Sequence, residues 1–127
     1  MSYMNSIPHI TEAESEVMKL LWQNSPLSAN EIITKLTAQM DWSDQTIKTF
    51  LNRLHKKQAI SFEKIGRTYL YSPLVTYDEY LNSENKSFLN RVYNGAVGML
   101  FAKFIEEESL SDQDIEELQR ILEKKRK

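Results

Sequence analysis

The stretch WSDQTIKTFLNRL, residues 42–54, has two chemically distinct sides when wound as a helix. At about 100° per residue, Ile47, Phe50, Leu51 and Leu54 fall together. Gln45, Thr49, Asn52 and Lys56 fall opposite, with Lys48 and Arg53 on the flanks. That polar side has no carboxylate, whereas a face that merely meets water usually mixes both signs of charge. The apolar side predicts a helix packed on a core, and the polar side predicts a partner.

Outward from this helix, the order of elements carries the fold. Upstream, TEAESEVMKLLW opens a helix: Thr11 with Glu14 three residues later forms a capping box, and Val17, Leu20 and Leu21 form a buried stripe. NSPL breaks it, and SANEIITKL starts another, with Ser28 and Glu31 repeating the capping box and Ile32, Ile33 and Leu36 facing inward. MDWS is the next break, and Ser43 caps the helix at 44 onward. Downstream, Ser61–Ile65 and Thr68–Ser72 are rich in β-branched and aromatic residues around Gly66-Arg67, which predicts a hairpin with a basic tip; a turn over Lys64–Arg67 fits as well. Three helices and a hairpin are the order of a winged helix-turn-helix domain.

Charge follows the same map. The chain of 127 residues has a net charge of −2, but residues 1–42 carry −3, residues 43–72 carry +4 and residues 73–127 carry −3. A basic block in an acidic chain points to a local polyanion site. Charged residues at 27% and apolar ones at 41% are ordinary for a globular protein. No apolar run is long enough to cross a membrane, and no basic-then-apolar leader is visible. Cysteine is absent, which excludes disulfides, thiolate metal sites and a cysteine nucleophile and makes a cytoplasmic location the simplest expectation.

Residues 75–127 read as helices without a core of their own. Phe88, Leu89, Val92, Phe101, Phe104, Ile105, Leu118, Ile121 and Leu122 are the expected dimerisation residues, because so short a segment does not easily bury that much apolar surface by itself; folding back on the winged domain is the alternative. Gly95 and Gly98 mark a break or a close helix contact, and Ser111 caps a last helix. The expectation is therefore a mainly α fold with a small β-hairpin wing: a flexible N-terminus over 1–10, a winged helix-turn-helix domain over 11–73 and a helical dimerisation domain over 74–127.

Chemistry is sparse. His9 and His55 are far apart in sequence, the carboxylates of 106–108 and 112–117 suit a solvated face, and no nucleophile motif or phosphate-cradling loop is present. No catalytic residue, metal ligand or cofactor is expected. Two rival readings remain: a protein-interaction module docking an acidic partner, and a ligand sensor with a pocket lined by Tyr77, Tyr80, Phe88, Tyr93 and Phe101.

The segments AESEVMKLLW, SANEIITKL, WSDQTIKTFLNRLHKK and SLSDQDIEELQRIL resemble the penicillinase-repressor family of bacterial regulators (BlaI/MecI/CopY type), from about Thr11 to Leu122. The resemblance implies a homodimeric winged-helix repressor that binds inverted repeats containing TACA/TGTA and controls β-lactam resistance or copper-handling operons. The copper-responsive members carry Cys-x-Cys pairs in a short tail, which this chain lacks. The β-lactam-responsive members imply a further partner, a membrane sensor protease that cuts an Asn-Phe bond in the second C-terminal helix. The matching position is Lys103-Phe104, with the aromatic retained and a cation in place of the amide. A ligand or metal signal that leaves the chain intact is the alternative.

With double-stranded DNA as partner, the polar helix face belongs in the major groove. Gln45, Lys48, Thr49 and Asn52 are the expected base readers: Gln and Asn match adenine N6/N7, Lys matches guanine O6/N7, and the Thr methyl matches that of thymine. Ser43, Thr46, Arg53, Lys56, Lys64 and Arg67 are the expected phosphate contacts.

Overall fold

The computed structural model describes residues 7–126. They form α1 (Glu12–Gln23), β1 (Leu27–Ser28), α2 (Ala29–Gln39), α3 (Asp44–Lys56), β2 (Ile60–Ile65), β3 (Thr68–Pro73), α4 (Tyr77–Tyr93), α5 (Val97–Glu107) and α6 (Asp112–Arg126). The chain divides into two compact units after Ser83, within α4.

Both capping boxes form. Thr11 Oγ1 accepts from the Glu14 amide and Glu14 Oε1 accepts from the Thr11 amide; Ser28 and Glu31 repeat the exchange. These reciprocal bonds satisfy amides that a helix start otherwise leaves open. Inside the first unit, α1 contributes Val17, Met18 and Leu21, α2 contributes Ile32, Ile33 and Leu36, and α3 contributes Ile47, Leu51 and Leu54. Met18 takes the inward place expected of Leu20, which is only half-buried. Phe50 is half-buried too, its ring edge-on to Trp42 at 5.0 Å.

The hairpin has Ile65 opposite Thr68, so its loop is Gly66-Arg67. Gly66 has φ +64, and Arg67 is not among the residues of positive φ, which is the backbone pattern of a tight turn matched to strand twist. The sheet has a third strand that sequence reading missed. β1 pairs antiparallel with β3, Leu27 opposite Tyr71 and Ser28 opposite Leu70, giving the order β1-β3-β2. Two residues are too few to show the period-2 alternation that betrays a strand.

Two boundaries shift from expectation. Residues 7–10 are not a flexible extension: Ile10 is 3% exposed and Ile7 packs on the same core. Residues 1–6 of that expected tail lie outside the described residues. The first unit also does not end at Pro73. Val75 is buried, its carbonyl accepts from Trp22 Nε1 at 2.8 Å, and Tyr77 and Tyr80 each stack on Trp22 at 5.2 Å. Thr76 and Glu79 cap the start of α4 by a third reciprocal pair.

α3 ends in a six-residue closure. The Ala59 amide donates to Leu54 O at 2.9 Å and the Gln58 amide to His55 O at 3.0 Å, with Gln58 at φ +67. Glycine is the usual occupant of this left-handed position, where a side chain costs about 1 kcal/mol. Gln58→Gly is therefore expected to stabilise the protein by up to about 1 kcal/mol. A raised urea midpoint at unchanged slope is the readout, and a lowered midpoint would contradict it.

In the second unit, Asn94 at φ +52 and Gly95 at φ +85 end α4, while Gly98 lies within α5 with open space around it. Gly95 is the break, and Gly98 makes no close contact. Ser111 and Asp114 cap α6 reciprocally.

Candidate nucleic-acid interface

Ser43 starts α3: its Oγ accepts the Thr46 amide at 3.1 Å and lies 3.0 Å from Thr46 Oγ1. Asp44 in the first turn and Arg53, His55 and Lys56 in the last turn suit the helix dipole. Burial of Ile47, Leu51 and Leu54 turns the opposite side outward. Gln45, Lys48, Asn52, Arg53 and Lys56 are exposed there, and Thr46 and Thr49 are half-exposed. The Thr49 hydroxyl donates to Gln45 O at 3.0 Å, so its methyl is the group left for an outside partner. Thr49, Asn52, Arg53, His55 and Lys56 border one shallow concavity. The four expected base readers thus share one accessible helix face.

The wing supplies the second cationic group. Arg67 sits in the exposed loop, and Lys64 Nζ lies 5.6 Å from the Tyr69 ring centroid. His55 of α3 stacks on Phe62 of β2 at 4.7 Å, and Phe62 meets Tyr69 at 4.9 Å. These ring contacts join the wing to the end of α3.

One cation of the basic block is differently engaged. Lys57 Nζ donates to Glu14 Oε1 and, at 2.8 Å, to the carbonyl of His9. Glu14 is 1% exposed. Burial alone raises its carboxyl pKa, but the Lys57 ammonium and the Thr11 amide outweigh it and hold the group below the ordinary carboxylate range. Sequence reading missed this pair, since nothing local links positions 43 residues apart.

The apolar residues expected at a dimer contact lie on α4, α5 and α6, in which no residue is buried. Phe101 is 57% exposed, Phe104 54% and Leu122 63%; Val92, Ile105 and Ile121 are similar, Phe88 and Leu118 somewhat less exposed, and Leu89 is half-buried. Phe88, Leu89, Val97, Leu100, Phe101 and Phe104 line an open groove between the end of α4 and α5. Lys103 and Phe104 lie within α5, where Phe104 O accepts from the Glu108 amide at 2.9 Å. Of the aromatics considered for a ligand pocket, Tyr77 and Tyr80 are engaged with Trp22, and Phe88 pairs with Tyr93 at 5.8 Å. Among the described residues no cluster of His, Cys, Asp or Glu would hold a metal ion, and no helix is long and apolar enough to cross a membrane.

Three helices, a three-stranded antiparallel wing and a carboxylate-free outer face on α3 define a winged helix-turn-helix protein followed by extra C-terminal helices. The penicillinase repressor family model matches residues 10–124, and the chain belongs to that family, one of transcriptional repressors rather than enzymes. It is 42% identical to the penicillinase repressor of Bacillus licheniformis over 120 residues, covering 94% of each chain. It is 40% identical to the methicillin resistance regulatory protein MecI of Staphylococcus aureus over 121 residues, 95% of this chain and 98% of that one. Among solved structures it is similar to the DNA-binding domain of the repressor BlaI, with TM-score 0.55 and 43% identity over 59% of this chain and 92% of that one. The monomeric form of Bacillus licheniformis BlaI in complex with the blaP half-operator gives TM-score 0.54, with the same identity and coverage.

Proposed function

We propose that this chain is a homodimeric repressor that binds an inverted-repeat operator of the TACA/TGTA kind and silences a resistance or stress operon by covering its promoter. The observation that carries this reading is the outer face of α3, where Gln45, Lys48, Thr49 and Asn52 are accessible together without a carboxylate among them. Arg53 and Lys56 on α3 and Lys64 and Arg67 on the wing add exposed cations, and Ser43 and Thr46 place hydroxyls at the helix start. The Bacillus licheniformis relative, solved in complex with the blaP half-operator, supports operator DNA as the partner. The exposed apolar residues of α4, α5 and α6 support a second copy as the partner that covers them.

Titration of the protein against a dyad-symmetric duplex and a scrambled one tests the reading. Gln45→Ala or Asn52→Ala is expected to cost about 1–3 kcal/mol on the operator and to relax base preference. Arg67→Ala is expected to weaken both duplexes alike and to make the salt dependence shallower by about one. Equal affinity of the unaltered protein for operator and scrambled duplex at physiological salt would overturn it. Lys57 does not join the phosphate contacts, because Glu14 already holds its charge.

Induction in this reading leaves the chain whole. A protease that recognises a neutral amide beside the scissile bond meets a cation at Lys103, and the bond lies in a hydrogen-bonded helix. Immunoblotting after β-lactam exposure is expected to show intact protein. A fragment ending near Lys103 would replace this route by proteolysis through a membrane sensor protease.

A further inference from the structure

Glu14 and Lys57 are the one ion pair among the described residues that has a buried member. The Glu14 side chain is 2% exposed and that of Lys57 28%. Lys57 is the C-cap of α3, and its ammonium spans 43 residues to Glu14 in α1 and 48 to the His9 carbonyl. The same Glu14 oxygen accepts from the Thr11 amide at 3.0 Å, so one carboxylate joins the start of α1 to the end of α3. Nothing in the DNA-reading face itself requires this arrangement.

We propose that Lys57 is a positioning residue for operator reading: with Glu14 and the His9 carbonyl it fixes the end of α3 against α1 and residues 9–14, and so sets how α3 presents Gln45, Lys48, Thr49 and Asn52. The proposal rests on the DNA-binding reading above. Burial of Ile47, Leu51 and Leu54 holds α3 on the core, but apolar contact is non-directional and leaves tilt and rotation loosely set. A charge-assisted bond with two acceptors is directional. Lys57 and Gln45 are separated by about 18 Å of helix, so a tilt of about 10° at the clamp displaces Gln45 by about 3 Å. Bidentate base contacts do not survive such a displacement. Taking the ammonium to a phosphate instead would strand the Glu14 charge in the core, which is strongly unfavourable. Neighbouring Lys56 is exposed and bears no such tie.

The test uses the full chain with Lys57→Met, Glu14→Gln, the two together, and Lys56→Met for comparison, each titrated with operator at several salt concentrations and at a temperature where circular dichroism shows it folded. Lys57→Met and Glu14→Gln are each expected to weaken operator binding about tenfold, the loss of one good base contact, and to reduce discrimination against an operator altered within its half-site. The salt slope should stay that of the unaltered protein, and the double variant should bind no more weakly than Lys57→Met. Lys56→Met should instead make the slope shallower by about one. A slope shallower by about one in Lys57→Met would make it a phosphate ligand and overturn the proposal. So would folded variants that keep full affinity and base preference, since the pair would then serve stability alone. Hydrogen exchange of the free protein separates this proposal from the DNA reading. Lys57→Met should speed exchange selectively at the amides of 11–15 and 54–59. A protein with no operator preference would sink the repressor reading while leaving this local loosening to judge the clamp, and unchanged exchange at those amides would overturn the clamp.

Discussion

A chain truncated after Ser83 is expected to fold, to be monomeric at micromolar concentration and to bind a full operator about 10²–10⁴-fold more weakly than the intact protein. Among the described residues every buried residue of the core lies within 7–83, so the cut removes none of them. What it removes is the set of exposed apolar side chains on the later part of α4, on α5 and on α6, and with them the proposed link between two reading heads. Once one head of a dimer is bound, the second meets its half-site at an effective concentration fixed by the tether, and a monomer forfeits that gain. On a single half-site the truncated and intact proteins should therefore differ little. Cutting after Pro73 is a different experiment: it deletes buried Val75, the acceptor of the Trp22 Nε1 bond and the rings of Tyr77 and Tyr80. That product should be severely destabilised, and its loss of binding would say nothing about dimerisation. Sedimentation equilibrium with titration on half and full operators checks the Ser83 product. A truncated protein that remained dimeric would place the interface in the first unit.

What was legible beforehand was local. Thr11 with Glu14, Ser28 with Glu31 and Ser43 ahead of an amphipathic run each bring cap and helix within three or four residues, so α1, α2 and α3 could be placed from spacing alone. Gly66-Arg67 between two runs rich in β-branched and aromatic residues marked the hairpin for the same reason. The outer face of α3 followed from the position of Ile47, Leu51 and Leu54, because fixing the buried side of a helix fixes the other. Hidden features depend on partners distant in sequence. Strand β1 exists because β3 is beside it, and Ile10 is buried only because the helices close over a residue two positions after Pro8. Val75 and Tyr80 belong to the first unit through Trp22, more than 50 residues earlier. Lys57 read as one more cation in a basic block, and only the fold shows that Glu14 occupies it. The left-handed residue at the end of α3 was invisible because Gln58 stands where glycine is the usual signal.

Glu14→Ala is expected to destabilise the protein by about 3 kcal/mol at neutral pH, towards the lower end for breaking a buried pair because Lys57 can turn partly to water. The change removes the ion pair and also the acceptor of the Thr11 amide. The pH dependence has a definite sign. Glu14 titrates below its ordinary range in the folded protein, so the unfolded chain holds its proton more readily. Its contribution is fully present above the unfolded value of about 4.3 and is lost as pH falls through the lower, folded value. The gap in unfolding free energy between the unaltered protein and Glu14→Ala should therefore be constant at neutral pH and narrow as the solution is acidified below about pH 4. A gap that widened on acidification would reverse the assigned shift. Replacing both partners, Glu14→Leu with Lys57→Met, leaves no charge without a counterpart, and such exchanges are often neutral or stabilising. The double variant should recover most of the stability lost by Glu14→Ala and yet not recover operator affinity, because apolar side chains restore burial without restoring direction. Denaturant titrations from pH 3 to pH 7, run beside operator titrations at pH 7, measure both quantities on the same proteins. A double variant that regained stability and affinity together would show that packing alone orients α3.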